Sequence, residues 1–159
     1  VVVYFFRHGE ADWPDWQGSD EERPLNKKGE KVTRHMAKLL GLLRAEPDMI
    51  LSSPLPRALD TAKVLSASLG APLRVEEALC PGSSADVLRP VLKAHEEQEI
   101  LLVGHQPDFS AILKSLTGVR AKLTKSGVAK VDLDEEFTGK LTWLFPARLA
   151  GAMLGRERA

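Results

Sequence analysis

The 159-residue chain has one cysteine, Cys80, which excludes an intramolecular disulfide and any metal site built from several thiolates. It also lacks an excess of either charge. Lys+Arg and Asp+Glu stand at 22 each, so no global field draws nucleic acid or an anionic membrane, and an anion site has to be assembled locally. No apolar run approaches the ~20 residues that span a bilayer. The opening run Val1 to Phe6 is too short for a signal-peptide core and has no basic segment before it. Repeats, low-complexity stretches and a linker are missing too, and the length suits one domain over 1–159. A cytoplasmic enzyme or binding domain, acting on neither nucleic acid nor membrane, is the expectation.

The pattern of apolar residues predicts an α/β chain. Val1 to Phe6 is β-branched and aromatic without alternation, as in a strand buried on both faces, and it stops at Arg7-His8-Gly9. Glu10 to Pro24 reads as a long polar loop. Asn26 is placed to cap a helix with the stripe Val32, Met36, Leu39, Leu40 and Leu43. Met49-Ile50-Leu51 predicts a strand. Ser53 as cap with Pro54 behind it predicts the next helix, carrying Ala58, Ala62, Leu65 and Leu69 and stopping at Gly70.

Residues 72–75 suit a short strand. A turn at Pro81-Gly82 then leads through Ser83 or Ser84 into a helix facing inward with Val87, Leu88, Val91 and Leu92. Ile100 to Val103 is the second clear buried strand, and Pro107 opens a helix with Phe109, Ile112, Leu113 and Leu116 inward. After that the period changes to that of a hairpin turning near Thr138-Gly139. The expected fold is a three-layer sandwich: a mostly parallel central sheet, helices on both faces, and a C-terminal edge hairpin.

Three of these strands end in polar residues. One gives Arg7-His8-Gly9, one leads into Ser52-Ser53-Pro54 and Arg57, and one gives Gly104-His105. Ligands of open α/β sheets bind beyond the carboxyl ends of the strands. If the three strands are neighbours, two arginines and two histidines meet in one crevice. Guanidinium forks match phosphate oxygens bidentately, and helix N-termini after Ser53 and Gln106 add N–H donors. A neutral imidazole is a competent nucleophile, kept neutral by nearby arginines. A second imidazole, if protonated, can donate to an equatorial oxygen. Taken singly, each piece also fits a structural histidine, a solvated arginine or a plain strand-to-helix turn; the joint occurrence points to phosphoryl chemistry.

Arg7-His8-Gly9-Glu10, Ser52-Ser53-Pro54-Leu55-Pro56-Arg57-Ala58 and Val103-Gly104-His105 resemble the motifs of the histidine phosphatase superfamily, which includes the phosphoglycerate mutases. The likeness is greatest to its short SixA-like phosphohistidine phosphatase branch. It runs essentially end to end, taking in residues 23–29 and 125–129. The resemblance implies that His8 is the phosphorylated nucleophile, that Arg7, Arg57 and His105 complete the phosphate pocket, and that no metal or organic cofactor is needed. Asn26 stands where Thr is frequent in the family, and Asp60 where Gln is frequent. Asp60 either tethers Arg57 or faces solvent.

The substrate follows from the proton donor. An alkoxide leaves poorly and needs a general acid. Gln106, not Asp, follows His105, and no mid-chain carboxylate sits in a matching motif. A leaving imidazole, with a reference pKa of about 6.5, protonates with little help. The expected partner is a phosphohistidine-bearing protein, such as a phosphotransfer domain, with inorganic phosphate as product. The alternative is a small phosphorylated substrate handled by an ester phosphatase or mutase, and a catalytically silent phosphate-binding module is a third class. Glu10, Arg23 and Glu77 are the candidates for a proton donor or substrate contact. Trp13 and Trp16 either pack the long loop or flank the site mouth. His35 and His95 read as surface or capping histidines, and Cys80 as a lone semi-buried cysteine.

Overall fold

A computed structural model describes residues 1–95 and 98–157, with side chains described as far as 153. Glu96 and Glu97, which follow His95, and residues 158–159 lie outside the described residues. The strands are β1 (Val2–Arg7), β2 (Met49–Ser52), β3 (Leu73–Val75), β4 (Glu99–Gly104), β5 (Val128–Leu133) and β6 (Gly139–Phe145). The α-helices are α1 (Lys27–Leu42), α2 (Pro56–Leu69), α3 (Ala85–Lys93), α4 (Asp108–Thr117) and α5 (Ala147–Glu157), with short 3-10 turns at Asp20–Glu22 and Glu77–Leu79.

The strands form one sheet in the order β3-β2-β4-β1-β5-β6. The first four run parallel, β5 runs antiparallel to β1, and β6 antiparallel to β5. Helices cover both faces, as a parallel sheet without a solvated face requires. Alternation along β1 sends Val3 and Phe5 to one side, against Leu88 and Leu92 of α3 and Phe109, Ile112 and Leu113 of α4. Tyr4 and Phe6 go to the other side, against Met36 and Leu40 of α1, Ala58, Ala62 and Leu65 of α2, and Ala150 of α5. Val3 to Phe6 are all essentially buried, as their uninterrupted apolar run predicts.

Several local expectations change. The helix start predicted at Ser53-Pro54 falls at Pro56, because the residue before a proline is pushed to extended backbone and Leu55 sits at φ −63°, ψ 136°. The C-terminal hairpin stands at one edge of the sheet as expected, with β5 against β1 and β6 outermost. Val87 faces out of α3 rather than in. The helix α5 lies beyond the last element expected from the sequence and packs against α1 through Ala150. Asn26 caps α1 as expected, its Oδ1 accepting from the Gly29 N–H at 2.8 Å, and Gly70 ends α2 in the left-handed conformation. Among the described residues, no helix is long and apolar enough to cross a membrane.

Candidate active site

The neighbours β2, β4 and β1 bring the three polar strand ends together. In register, Arg7 lies beside Gly104 and Ser52 beside Val103. Backbone bonds continue past the strands: His8 N–H donates to the Gly104 carbonyl at 3.0 Å, and Ser53 N–H to the Val103 carbonyl at 3.0 Å. His8 and His105 therefore face each other across adjacent strand ends, with ring centroids 5.3 Å apart. Two glycines allow this closeness. A Cβ on Gly9 would come within 3.0 Å of Leu25, Ser126 and Thr33 side-chain atoms, and one on Gly104 would lie 2.6 Å from the Phe109 ring.

His8 Nδ1 lies 2.8 Å from the Gly9 carbonyl oxygen. A carbonyl only accepts, so Nδ1 carries the proton and Nε2 keeps its lone pair. Burial pushes the His8 pKa down to about 3, with His105, Arg57 and Arg7 pressing the same way and the Gly9 hydrogen bond opposing. The ring is neutral at physiological pH. A neutral imidazole with one tautomer selected can attack an electrophilic phosphorus through Nε2.

His105 Nε2 lies 2.8 Å from Ser53 Oγ. That hydroxyl also accepts from the Leu55 N–H at 3.3 Å, so its own proton is free to go to Nε2. The proton of His105 then sits on Nδ1, which is buried and has no hydrogen-bond partner. Burial first, then Arg57 and Arg7, lower the His105 pKa to about 4 against the opposing pull of Asp108. The expected donor is thus present, but as a neutral N–H and not an imidazolium. Buried donors without partners are rare, and Arg7 Nε is a second one here.

The arginines are held through backbone carbonyls. Arg7 donates through Nη1 to Leu123 O at 3.0 Å, and Arg57 through Nη1 to Asp20 O at 3.2 Å. Burial lowers the pKa of each, yet an arginine stays charged. Thr61, one turn after Arg57, ties the pieces together: it accepts from Gly9 N–H at 3.0 Å and donates to Arg57 O at 2.7 Å. Thr61 and the Ser53–His105 link are absent from the sequence-based site; the i+4 spacing of Thr61 from Arg57 is the one signal that could have found the former.

The remaining candidates are placed less centrally. The Glu10 carboxylate pairs with Lys28 at 3.3 Å and accepts from Asn26 at 3.5 Å. Arg23 donates to Ala11 O at 2.9 Å and pairs with Asp20 at 2.7 Å, in the turn that also holds Arg57. Glu77 accepts from the Cys80 thiol at 3.5 Å. Asp60 neither tethers Arg57 nor merely faces solvent: its Oδ2 accepts from Leu25 N–H at 3.3 Å, holding the end of the long loop. Asp108 accepts from Gly82 and Ser83 N–H at 2.8 and 3.2 Å. Trp13 and Trp16 keep partly exposed rings while their indole N–H groups donate to the loop carbonyls of Pro24 and Ser19.

The adjoining ends of the sheet's parallel strands thus gather two buried histidines, with two arginines whose charge reaches them. Residues 3–80 match the family model described as histidine phosphatase superfamily (branch 1). An uncharacterised protein of Picosynechococcus sp. is 39% identical over 137 residues, which cover 80% of this chain and 82% of that protein. Phosphohistidine phosphatase SixA of Escherichia coli is 28% identical over 90% of this chain and 92% of its own length. The solved structure of the protein histidine phosphatase SixA complexed with tungstate superposes with a TM-score of 0.86 at 28% identity, covering 94% of this chain and 99% of that one. A mycobacterial glucosyl-3-phosphoglycerate phosphatase shares the fold at 19% identity and a TM-score of 0.71, over 89% and 97% of the two chains. The chain belongs to the histidine phosphatase superfamily. It is a phosphatase with the phosphoglycerate mutase-like α/β fold, similar to the SixA phosphohistidine phosphatases.

Proposed function

We propose that this phosphatase removes phosphate from phosphohistidine on a partner protein, through a covalent intermediate on His8. His8 Nε2 attacks phosphorus in line with the leaving imidazole; the P–N bond to the substrate breaks, and the departing ring nitrogen takes a proton from water. Water then attacks phospho-His8, returning the Nε2 lone pair and releasing inorganic phosphate. Arg7 and Arg57 bind the equatorial oxygens, and His105 Nδ1–H donates to the charge that builds on them.

The observation that carries the phosphohistidine reading is where the neighbouring carboxylates are engaged. Glu10, next to the strand-end motif, pairs with Lys28, and Asp108, whose charge reaches His105, accepts from two backbone N–H groups. A site with its acids occupied in this way suits a leaving group that needs little proton transfer, and an imidazole is one. The likeness to SixA supports the same choice. The cytoplasmic setting expected from the sequence is part of this proposal.

The second reading is a small-molecule ester phosphatase or mutase. It is favoured by Asp108, whose charge reaches His105 and raises its pKa. Turnover of a phosphohistidine peptide, phosphoramidate and a panel of sugar and acid monophosphates separates the two. The phosphohistidine reading expects kcat/KM to be highest for the P–N substrates and unaffected by Asp108→Asn. Higher kcat/KM for one of the esters, lost in Asp108→Asn, contradicts it.

A further inference from the structure

The chain is neutral overall, but its cations are not evenly spread. Between Phe109 and Val131 stand five, Lys114, Arg120, Lys122, Lys125 and Lys130, and no aspartate or glutamate. This stretch runs from α4 through the connection to β5, beside the end of β1. There it lines a groove of about 500 Å³ in which Lys122 and Lys125 meet Arg148 from the start of α5 and Arg7 from the phosphoryl site. A second hollow of about 300 Å³ continues it, sharing Lys125 and Arg148 and adding Lys28.

Exposed lysines are ordinarily a solvated surface, and three facts set these apart. Among the described residues, Lys114, Arg120, Lys122 and Arg148 are exposed and enter no ion pair. Lys122 and Arg148 share one sign within the groove, and the carboxylates that border it, Asp12 and Glu10, are already paired with Lys125 and Lys28. Arg7 lines the same groove and also acts on the His8 ring. Whatever occupies the groove therefore reaches a residue that the phosphoryl site also uses.

We infer that this groove docks an acidic segment of the phosphorylated partner protein, so that carboxylates flanking the phosphohistidine lie against Lys122, Lys125 and Arg148. The inference rests on the protein-phosphohistidine reading of the site. Charge complementarity names the occupant: the unpaired Lys122 and Arg148, with Lys125 held by Asp12 at 2.9 Å, take carboxylates, and a groove of about 500 Å³ holds more than a single phosphoryl group. Steering of this kind raises association rates and falls with ionic strength.

The test uses two phosphohistidine peptides, one with Asp/Glu-rich flanks and one with Gly/Ser flanks, together with phosphoramidate. The wild-type protein is expected to prefer the acidic peptide by about tenfold or more in kcat/KM at low salt, with the preference shrinking above ~0.15 M. The double variant Lys122→Glu, Arg148→Glu should lose that preference and keep its phosphoramidate turnover. Equal turnover of both peptides by the wild type overturns the inference, as does a preference that survives in the variant. Failure of the wild type on every phosphohistidine peptide overturns the functional reading alone. The groove is then tested by fluorescence anisotropy with the labelled, unphosphorylated acidic peptide. Saturable binding that the double variant loses supports the groove; no binding, or equal binding of an oligonucleotide of the same charge, overturns it.

Discussion

At the residue scale, two hydrogen bonds set the proton positions of the two site histidines. The Gly9 carbonyl keeps the His8 proton on Nδ1, and the Ser53 hydroxyl keeps the His105 proton on its own Nδ1. Ser53 is thus a positioning residue that acts through His105. In Ser53→Ala, His105 is free to change tautomer, and kcat should fall roughly 10- to 100-fold with KM little altered. Nitrogen NMR of the His105 ring should show the Nδ1–H form giving way to a mixture. An unchanged tautomer alongside unchanged kcat would show that the hydroxyl positions nothing. The low pKa of His8 has its own signature. Its nucleophilic form persists down to about pH 3, so kcat/KM, corrected for substrate ionisation, should show no loss attributable to His8 between pH 7 and 5. A loss with an apparent pKa near 6.5 in that range, absent from the substrate, would contradict the burial of the ring.

At the element scale, the strands and helices that position these residues were largely legible, because their signals are local. Asn26 illustrates it: a short polar side chain ahead of an apolar stripe predicts the cap, and the cap is there. Asn26→Ala should cost about 1 kcal/mol, read as a lower denaturation midpoint at unchanged slope. Gly104→Ala should cost about 1–3 kcal/mol, since its Cβ would have to displace the Phe109 ring. What was not legible came from competition between neighbours. Ser53 is a good cap in isolation, but Pro56 forces Leu55 out of the helix and leaves the Ser53 hydroxyl to His105. Asp60 is likewise one turn from Arg57 along α2, yet the loop end at Leu25 takes its oxygen. Neither outcome can be read from spacing, because each depends on a segment distant in the chain.

At the scale of the whole molecule, the strand order decides the site. Arg7-His8, Arg57 and Gly104-His105 were visible as separate motifs, but only the order β2-β4-β1 makes them one crevice. The helix α5, with few capping signals, was missed, and it supplies Arg148 to the basic groove. Burying two neutral histidines also marks global stability. Below pH ~6.5 the unfolded chain protonates both, while the folded rings stay neutral to about pH 3 and 4. The unfolded state binds more protons in that window, so stability falls as pH falls through it. In His8→Asn one of the two groups is gone, and the unfolding free energy between pH 6.5 and 4 should fall less steeply than in the wild type. Equal slopes would mean that His8 is not held neutral by the fold.

The most direct measurement is phosphoryl trapping. Brief incubation with radiolabelled phosphoramidate or phosphohistidine, rapid quenching and peptide mapping should place an acid-labile, base-stable label on His8, and His8→Ala should take up none. Label on another residue, or label retained by His8→Ala, would contradict His8 as the phosphoryl acceptor.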